Sequence, residues 1–251
     1  IGQAFPYVPI AHPKRFTPDW KFGIREEELQ KLVDAHRNDK VDAVILLSHN
    51  GMDVDLKLAS RVTGIDVILG GHTHDAVPQP AAVGTTLVTN AGSNGKFLAV
   101  LDLEIGKGRV KDVRYRLLPV FSELLKPDPA MQALIDKIRE PHVATLSEKI
   151  GVADRLLYRR GNFSGTMDQL ICDSLLGELN AEIALSPGFR WGTTALAGQP
   201  LTAEDVLAQT AVSYPETYVA TMTGGQIKDV LEDICDNLFN ADPYYQHGGD
   251  M

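Results

Sequence analysis

The sequence predicts an α/β protein in which a layered domain with a mixed β-sheet is followed by an α+β domain. In the first half of the chain, short β-branched runs alternate with segments of helical periodicity, as in parallel strands joined by helices. Two strand-like segments then meet across a glycine-rich turn, which indicates an antiparallel hairpin. From Gly151 onward, helices separated by short strand-like runs predict a second domain of different architecture.

The elements of the first domain follow in chain order. Residues 24–37 have apolar side chains at helical spacing, with three glutamates near the positive end of the helix dipole. Residues 41–47 form a β-branched run that suits a strand buried on both faces. A helix over 53–62 and a strand over 65–69 come next. The remaining predicted strands are 85–90, 97–104 and 109–117, the last two being joined as the hairpin.

A proline-rich segment, 119–129, ends the first domain. Residues 130–150 are predicted as a helical connector that breaks near Pro141, since proline removes a helical hydrogen bond. Beyond it the sequence predicts helices over 166–179, 202–208 and 225–239 and strands over 183–185 and 217–223. The predicted organisation is therefore a first domain over 1–118, a linker helix over 119–150 and a second domain over 151–251.

The bulk composition argues against two classes of function. A net charge of −9 opposes a broad nucleic-acid-binding surface, which needs clustered lysine and arginine. No apolar run approaches the roughly 20 residues that a membrane helix needs. The chain begins at Ile1 without a signal-peptide pattern and stops at Met251 after a turn-like segment. We therefore expect an excised piece of a longer protein, with its second domain truncated.

Two histidine-containing motifs directly follow predicted strands. Ser48–Gly51 reads Ser-His-Asn-Gly, and Gly70–Asp75 reads Gly-Gly-His-Thr-His-Asp. Because ligands bind beyond the carboxyl ends of parallel strands, neighbouring strands would bring His49, His72 and His74 together. If the second motif is extended, His72 and His74 point to the same side and can serve two adjacent metals.

Metal binding competes with a simpler interpretation of these histidines. A lone histidine after a strand is more often a polar loop residue, which is the better reading for His49 taken alone. Imidazole suits first-row divalent metals, and the adjacent glycines allow a sharp turn toward a common centre. The two motifs together therefore predict that His49, His72 and His74 are metal ligands. The remaining histidines are predicted to be surface or structural: His12, His36, His142 and His247.

The two motifs resemble the C-terminal half of the calcineurin-like metallophosphoesterase domain, in the branch of the secreted 5′-nucleotidases. The resemblance implies that residues 1–118 are half of that domain, that His49 and His72 bind one metal and that His74 binds its partner. Motifs that supply the other ligands precede this region in family members and have no counterpart in the 251 residues. The chain alone is therefore expected to be hydrolytically inactive and to bind divalent metal weakly.

The second predicted domain resembles the C-terminal domain of 5′-nucleotidases. Arg190 falls where the family carries an arginine that helps bind the substrate anion, although the preceding residues, Ser-Pro-Gly-Phe, differ from the usual Asn-Gly-Gly-x. That departure resembles the thiosulfohydrolase branch of the family, which acts in periplasmic sulfur oxidation. The same branch is indicated by Phe5–Tyr7, Phe22–Arg25 and Tyr244–Met251.

Arg190 is thus predicted to be a catalytic residue, because a guanidinium presents a planar fork of donors to a sulfonate or phosphate. For an arginine without this context, a solvated surface charge is the better reading. The aromatic residues that either line the entrance to the site or serve packing are Trp191, Tyr214, Tyr244 and Tyr245.

Three hypotheses of function follow from these motifs. The leading one is hydrolysis of a cysteine S-sulfonate on the SoxYZ carrier protein, with release of sulfate, by two divalent metals that the resemblance implies are manganese. The resemblance also implies a periplasmic location. The second hypothesis is a periplasmic 5′-nucleotidase or related phosphomonoesterase. The third is a metal-binding module that keeps the fold without turnover.

Overall fold

The computed structural model describes residues 1–159, 164–186, 194–210 and 216–246. These residues form two compact units. The first comprises residues 1–121 together with 235–246, and the second comprises the described residues between 122 and 234. The last described residues, 235–246, therefore belong to the first unit.

A five-stranded mixed sheet forms the centre of the first unit. Its strands lie in the order β1-β2-β3-β5-β4. The first four in that order are parallel, and β4 pairs antiparallel with β5 at the edge. Their bounds are β1 (Gly2–Gln3), β2 (Ile45–Ser48), β3 (Val67–Gly70), β4 (Ala81–Val83) and β5 (Thr86–Asn90).

Two helices cover one face of this sheet and build the main hydrophobic core. Helix α1 is the single turn Val8–Ala11, whereas α2 (Glu26–Asn38) and α3 (Met52–Arg61) are full helices. Val33 of α2 and Leu58 of α3 are fully buried against the sheet, at 0% exposure. Burial of one such side chain stabilises the fold by about 1.5–3 kcal/mol.

The sheet differs from its prediction in two respects. Its antiparallel strand is β4, which the sequence analysis missed, whereas the predicted hairpin forms a separate two-stranded sheet. The hairpin strands are β6 (Phe97–Ile105) and β7 (Val110–Pro119). In addition, β2 is buried on one face only, since Leu46 is fully buried while Leu47 is 58% exposed. The prediction of burial on both faces was therefore wrong for this strand at Leu47.

The second unit combines helices with one strand pair. Strand β8 (Lys149–Val152) pairs antiparallel with β9 (Pro200–Thr202). Thr202 caps the N-terminus of helix α7 (Ala203–Thr210): Thr202 N donates to Asp205 Oδ2 (2.8 Å), and Asp205 N donates to Thr202 Oγ1 (3.3 Å). The helices are α4 (Pro129–Arg139), α5 (Val143–Leu146), α6 (Thr166–Leu179), α7 (Ala203–Thr210) and α8 (Gly224–Phe239), the last of which continues into the first unit.

The prediction of a helical connector over 130–150 is correct for α4 and wrong for its last two residues. Helix α4 stops at Arg139, and a 3₁₀ turn that contains Pro141 follows, as the proline predicted. Residues 149–150 lie in β8 rather than in a helix. Residues 183–185 and 217–223, predicted as strands, are not in strands. A short apolar run becomes a strand only when a partner strand lies beside it, and local pattern does not reveal the partner.

The helices in the described parts of the chain are all too short or too polar to cross a membrane.

Candidate metal centre

The loops after β2 and β3 lie side by side, as the sequence predicted. The two strands are parallel neighbours, with Leu47 opposite Leu69. The loops leave the same edge of the sheet, and they bring His49 and His72 together. The centres of these two imidazole rings are 5.3 Å apart, with their planes inclined at 54°.

The second loop is tightly turned and not extended. His72 and His74 have φ angles of +71° and +59°, in the left-handed region that side chains other than glycine seldom adopt. Thr73 N donates to Gly71 O (2.9 Å), which closes a three-residue turn around His72. The expectation that an extended segment directs both histidines to one side was therefore wrong. Strained backbone conformations cluster at functional sites, so these φ angles support a functional role for the loop.

Thr73 fixes the second loop against the first. Its hydroxyl accepts from Met52 N (3.0 Å) at the start of α3 and donates to Asp75 Oδ2 (2.5 Å). Gly51 makes this approach possible, because a Cβ at that position would lie 2.9 Å from the Thr73 methyl carbon. Gly51 also has a φ of +109°, so the position requires glycine on both grounds.

Phe5 completes the ring cluster at this edge of the sheet. Its ring centre lies 4.5 Å from that of His72 and 5.9 Å from that of His49, in an edge-on arrangement with His49. Tyr7 also packs against Phe5, with ring centres 5.6 Å apart. Sequence reasoning did not place Phe5 in the site, because β1 before it is only two residues long and carries no period-2 pattern.

A buried carboxylate lies behind the first loop. Asp55 is 0% exposed, and its Oδ1 accepts from Ser48 Oγ (2.6 Å) and Asn50 Nδ2 (3.1 Å). Burial raises the pKa of Asp55 to about 6, although these two hydrogen bonds act in the opposite direction. Sequence reasoning missed this residue too, since one aspartate in the first turn of a helix is ordinarily a favourable charge at the helix N-terminus.

The other predicted site residues have different outcomes. Arg190, Trp191 and Tyr214 lie outside the described residues. Tyr244 serves packing within the first unit: its hydroxyl donates to Glu26 Oε1 (2.5 Å), and Lys57 Nζ lies 3.9 Å from its ring centre. Tyr245 is 65% exposed.

The donor set fits part of a metal site. Imidazole nitrogens lie about 2.0–2.1 Å from a bound transition metal, so two rings on one ion have centres about 5 Å apart. The separation of His49 and His72 matches this value. Among the residues that the structure describes, no group of three or more His, Cys, Asp or Glu side chains is arranged to hold a metal. The chain therefore presents a ligand pair rather than a complete coordination sphere.

A protein-family model and a known bacterial protein both match this chain. The model of the 5′-nucleotidase C-terminal domain matches residues 143–249. The trifunctional nucleotide phosphoesterase YfkN of Bacillus subtilis is 31% identical over 231 residues, which cover 86% of this chain and 16% of YfkN.

Two solved structures extend the likeness to three dimensions. The sulfate thiohydrolase SoxB of Thermus thermophilus is 42% identical, with a TM-score of 0.96, over 100% of this chain and 46% of SoxB. A 5′-nucleotidase precursor from Thermus thermophilus is 25% identical, with a TM-score of 0.66, over 75% of this chain and 42% of its own. The chain thus spans less than half the length of these relatives.

Proposed function

The chain belongs to the 5′-nucleotidase family of dinuclear metal-dependent hydrolases, and from that premise we propose that it is part of a thiosulfohydrolase. One observation carries the proposal. All of this chain superimposes on part of SoxB, at 42% identity. The 5′-nucleotidase precursor matches three quarters of this chain, at 25% identity. The substrate is a cysteine S-sulfonate on the SoxYZ carrier, the metals are two manganese ions, and the location is the periplasm.

The proposed reaction is a simple hydrolysis. A water oxygen attacks the sulfonate sulfur, the bond between that sulfur and the cysteine sulfur breaks, and the products are the carrier thiol and hydrogen sulfate. In this family a metal pair neutralises charge on the substrate oxygens and makes water a better nucleophile at neutral pH. No redox partner is needed, because the atoms and charges balance with water alone.

His49 and His72 are assigned to one metal and His74 to the other. Neutral imidazoles supply the donor nitrogens, and the Thr73 hydroxyl, which accepts from Met52 N at 3.0 Å, limits movement of the second loop. The Phe5 ring, 4.5 Å from that of His72, excludes water from one side of the pair. Such support orients ligand rings and tunes metal affinity.

Arg190 is assigned to the substrate anion. Its guanidinium offers a planar fork to two sulfonate oxygens and neutralises charge that develops on them in the transition state. The basis of this assignment is its position in the segment that matches the 5′-nucleotidase C-terminal domain.

A phosphomonoesterase is the second candidate. The similarity to YfkN, a nucleotide phosphoesterase, favours it, and tetrahedral phosphate and sulfonate groups present similar oxygens to a metal pair.

The purified full-length gene product, loaded with Mn²⁺, is assayed on an S-sulfonated carrier peptide and on AMP. Sulfate release at a kcat/KM well above that for phosphate release is expected. Turnover of AMP alone would establish the phosphomonoesterase, and turnover of neither with metal bound would favour a metal-binding module.

The metal assignment is tested separately from the substrate. In the full-length protein, His72→Ala and His74→Ala should each lose about one metal equivalent after dialysis, because each removes a ligand. His36→Ala, on the exposed side of α2, is the control and should keep the full content. Unchanged metal content in both loop variants would contradict the assignment.

A further inference from the structure

Asp55 occupies a position that ordinary folding energetics does not favour. It lies in α3, is 0% exposed and takes part in none of the ion pairs that the described residues form. An isolated carboxylate in a protein interior is costly, so an apolar side chain of similar size would pack there at lower free energy. Its neighbours indicate what the carboxylate does.

The carboxylate holds both residues that flank His49. Oδ1 accepts from the Ser48 hydroxyl at 2.6 Å and from the Asn50 amide at 3.1 Å, and Asn50 N donates in turn to Ser48 Oγ at 3.2 Å. Ser48 and Asn50 are buried, at 8% and 1% exposure, whereas His49 between them is exposed. Anchoring both neighbours inward leaves the His49 side chain directed out of the core.

The same carboxylate also meets the second loop. A Cβ at Gly70 would lie 2.8 Å from Asp55 Oδ2, so the backbone of Gly70 packs directly on this oxygen. Gly70 is followed by Gly71 and then by His72. One side chain therefore contacts the start of both histidine loops, and its position sets the distance between them.

We propose that Asp55 is a positioning residue for the metal centre, acting through Ser48 and Asn50 to hold the His49 ring in register with His72. This inference rests on the proposed function, since it presupposes that His49 binds metal. Loss of the hydrogen bonds to Oδ1 lets the first loop relax, and the pair of rings loses its preset separation. Outer residues of this kind typically change metal affinity by about 10- to 100-fold.

The experiment uses the full-length protein and Mn²⁺ alone as the probe, with affinity measured by calorimetry. Asp55→Val fills a similar volume without any acceptor and should weaken Mn²⁺ binding at one site by about 10- to 100-fold. Asp55→Asn keeps an acceptor oxygen for both hydrogen bonds. Its Mn²⁺ affinity should stay within about threefold of the wild type, a smaller change than the loss expected for Asp55→Val. Asp53→Asn, on the exposed side of the same helix, is the matched control.

The outcomes separate this inference from the proposed function. If His49→Ala leaves Mn²⁺ binding intact, the metal assignment itself is wrong. If His49→Ala weakens binding but Asp55→Val does not, only the positioning role fails. Should Asp55→Val not fold, Ser48→Ala removes the 2.6 Å hydrogen bond to Asp55 together with the one that Ser48 Oγ accepts from Asn50 N, and wild-type affinity in that folded variant overturns the proposal. Equal losses in Asp55→Val and Asp55→Asn would also overturn it, because rescue depends on the acceptor.

Discussion

At the scale of single residues, the candidate site combines two energetically unfavourable features. His72 and His74 adopt left-handed backbone conformations, which cost on the order of 1–3 kcal/mol each for residues other than glycine. Asp55 buries a carboxylate without a cationic partner among the described residues. Surrounding structure must compensate for both, and such features accumulate where a side chain has to be held in one place.

The raised pKa of Asp55 predicts a pH-dependent stability difference. Its folded-state pKa is about 6, above the ordinary 3.8, so its contribution to stability is fully present below about pH 4 and is lost as the pH rises through 6. Asparagine does not titrate. Asp55→Asn should therefore gain up to about 3 kcal/mol relative to wild type between pH 4 and pH 7. Urea unfolding of both proteins across this range measures it. A stability difference between Asp55→Asn and the wild type that does not change with pH would refute the prediction.

Substitution of Arg190 is expected to lower turnover without lowering the stability of the fold. Removal of one donor to transition-state charge typically costs about 100- to 1,000-fold in turnover, which is the loss expected for Arg190→Ala on the S-sulfonated carrier. Arg190→Lys keeps the charge but loses the planar fork and should recover only part of the activity. Arg155→Ala is the control, since that side chain is 69% exposed and pairs with Asp154. Turnover near the wild-type value in Arg190→Ala would make Arg190 a solvated surface charge.

At the scale of elements, the last described turn closes onto the first unit. The 3₁₀ turn Pro243–Tyr245 lies against α3, where Asp242 Oδ1 accepts from Lys57 Nζ at 2.5 Å. The carbonyl of Tyr244 accepts from the Tyr7 hydroxyl at 3.1 Å. Burial raises the pKa of Tyr7 to about 12, and the charges of Asp242 and Asp55 act in the same direction, so Tyr7 stays a donor at neutral pH. Because Tyr7 packs on Phe5, this turn also supports the ring cluster.

Substitutions of the adjacent residues Tyr244 and Tyr245 test whether the Tyr244 hydroxyl stabilises the first unit. Tyr244→Phe removes a hydrogen bond to the Glu26 carboxylate and should destabilise the protein by about 1–3 kcal/mol. Tyr245→Phe removes a hydroxyl from a side chain that is 65% exposed and should change stability by less than about 0.5 kcal/mol. Denaturant unfolding of the two variants gives the comparison. Equal stabilities would mean that the Tyr244 hydroxyl does not stabilise the first unit.

At the scale of the whole molecule, the described residues bring together only part of the proposed metal centre. The first unit supplies the pair His49 and His72, and the described residues contain no group of three or more candidate ligands. Two neutral imidazoles bring no negative charge to offset desolvation of a divalent cation. High affinity for Mn²⁺ therefore needs oxygen ligands in addition to those in this pair.

We accordingly predict that the 251-residue chain on its own binds Mn²⁺ weakly and does not hydrolyse either substrate. Calorimetric titration with Mn²⁺ tests the first part, and the sulfate- and phosphate-release assays test the second. The full-length gene product, titrated under the same conditions, is the reference. A tight two-site isotherm for the 251-residue chain would show that its own residues complete the metal centre.

What the sequence determined by itself was the location of the histidine loops. Alternation of apolar strands with helices predicted parallel neighbours, and the position of both motifs at strand ends then predicted that His49, His72 and His74 lie together. The structure places the ring centres of His49 and His72 5.3 Å apart. These features are local, because each depends on residues within a few positions of one another. The left-handed turn at His72 could not be predicted in this way, since it is maintained by Thr73 packing against Gly51 of the other loop.

Only the tertiary structure identified Asp55 and Phe5 as parts of the site's support and decided that Tyr244 serves packing. In the sequence Asp55 is one acidic residue among several in the first turn of an amphipathic helix, and nothing local distinguishes it from the exposed Asp53. Its role arises when α3 packs over the carboxyl ends of two strands and buries that one carboxylate between their loops. Tyr244 reaches Glu26 across 218 positions of the chain. Contacts at such separations are decided by how the elements pack together, and the hydrophobic pattern of each segment carries no information about them.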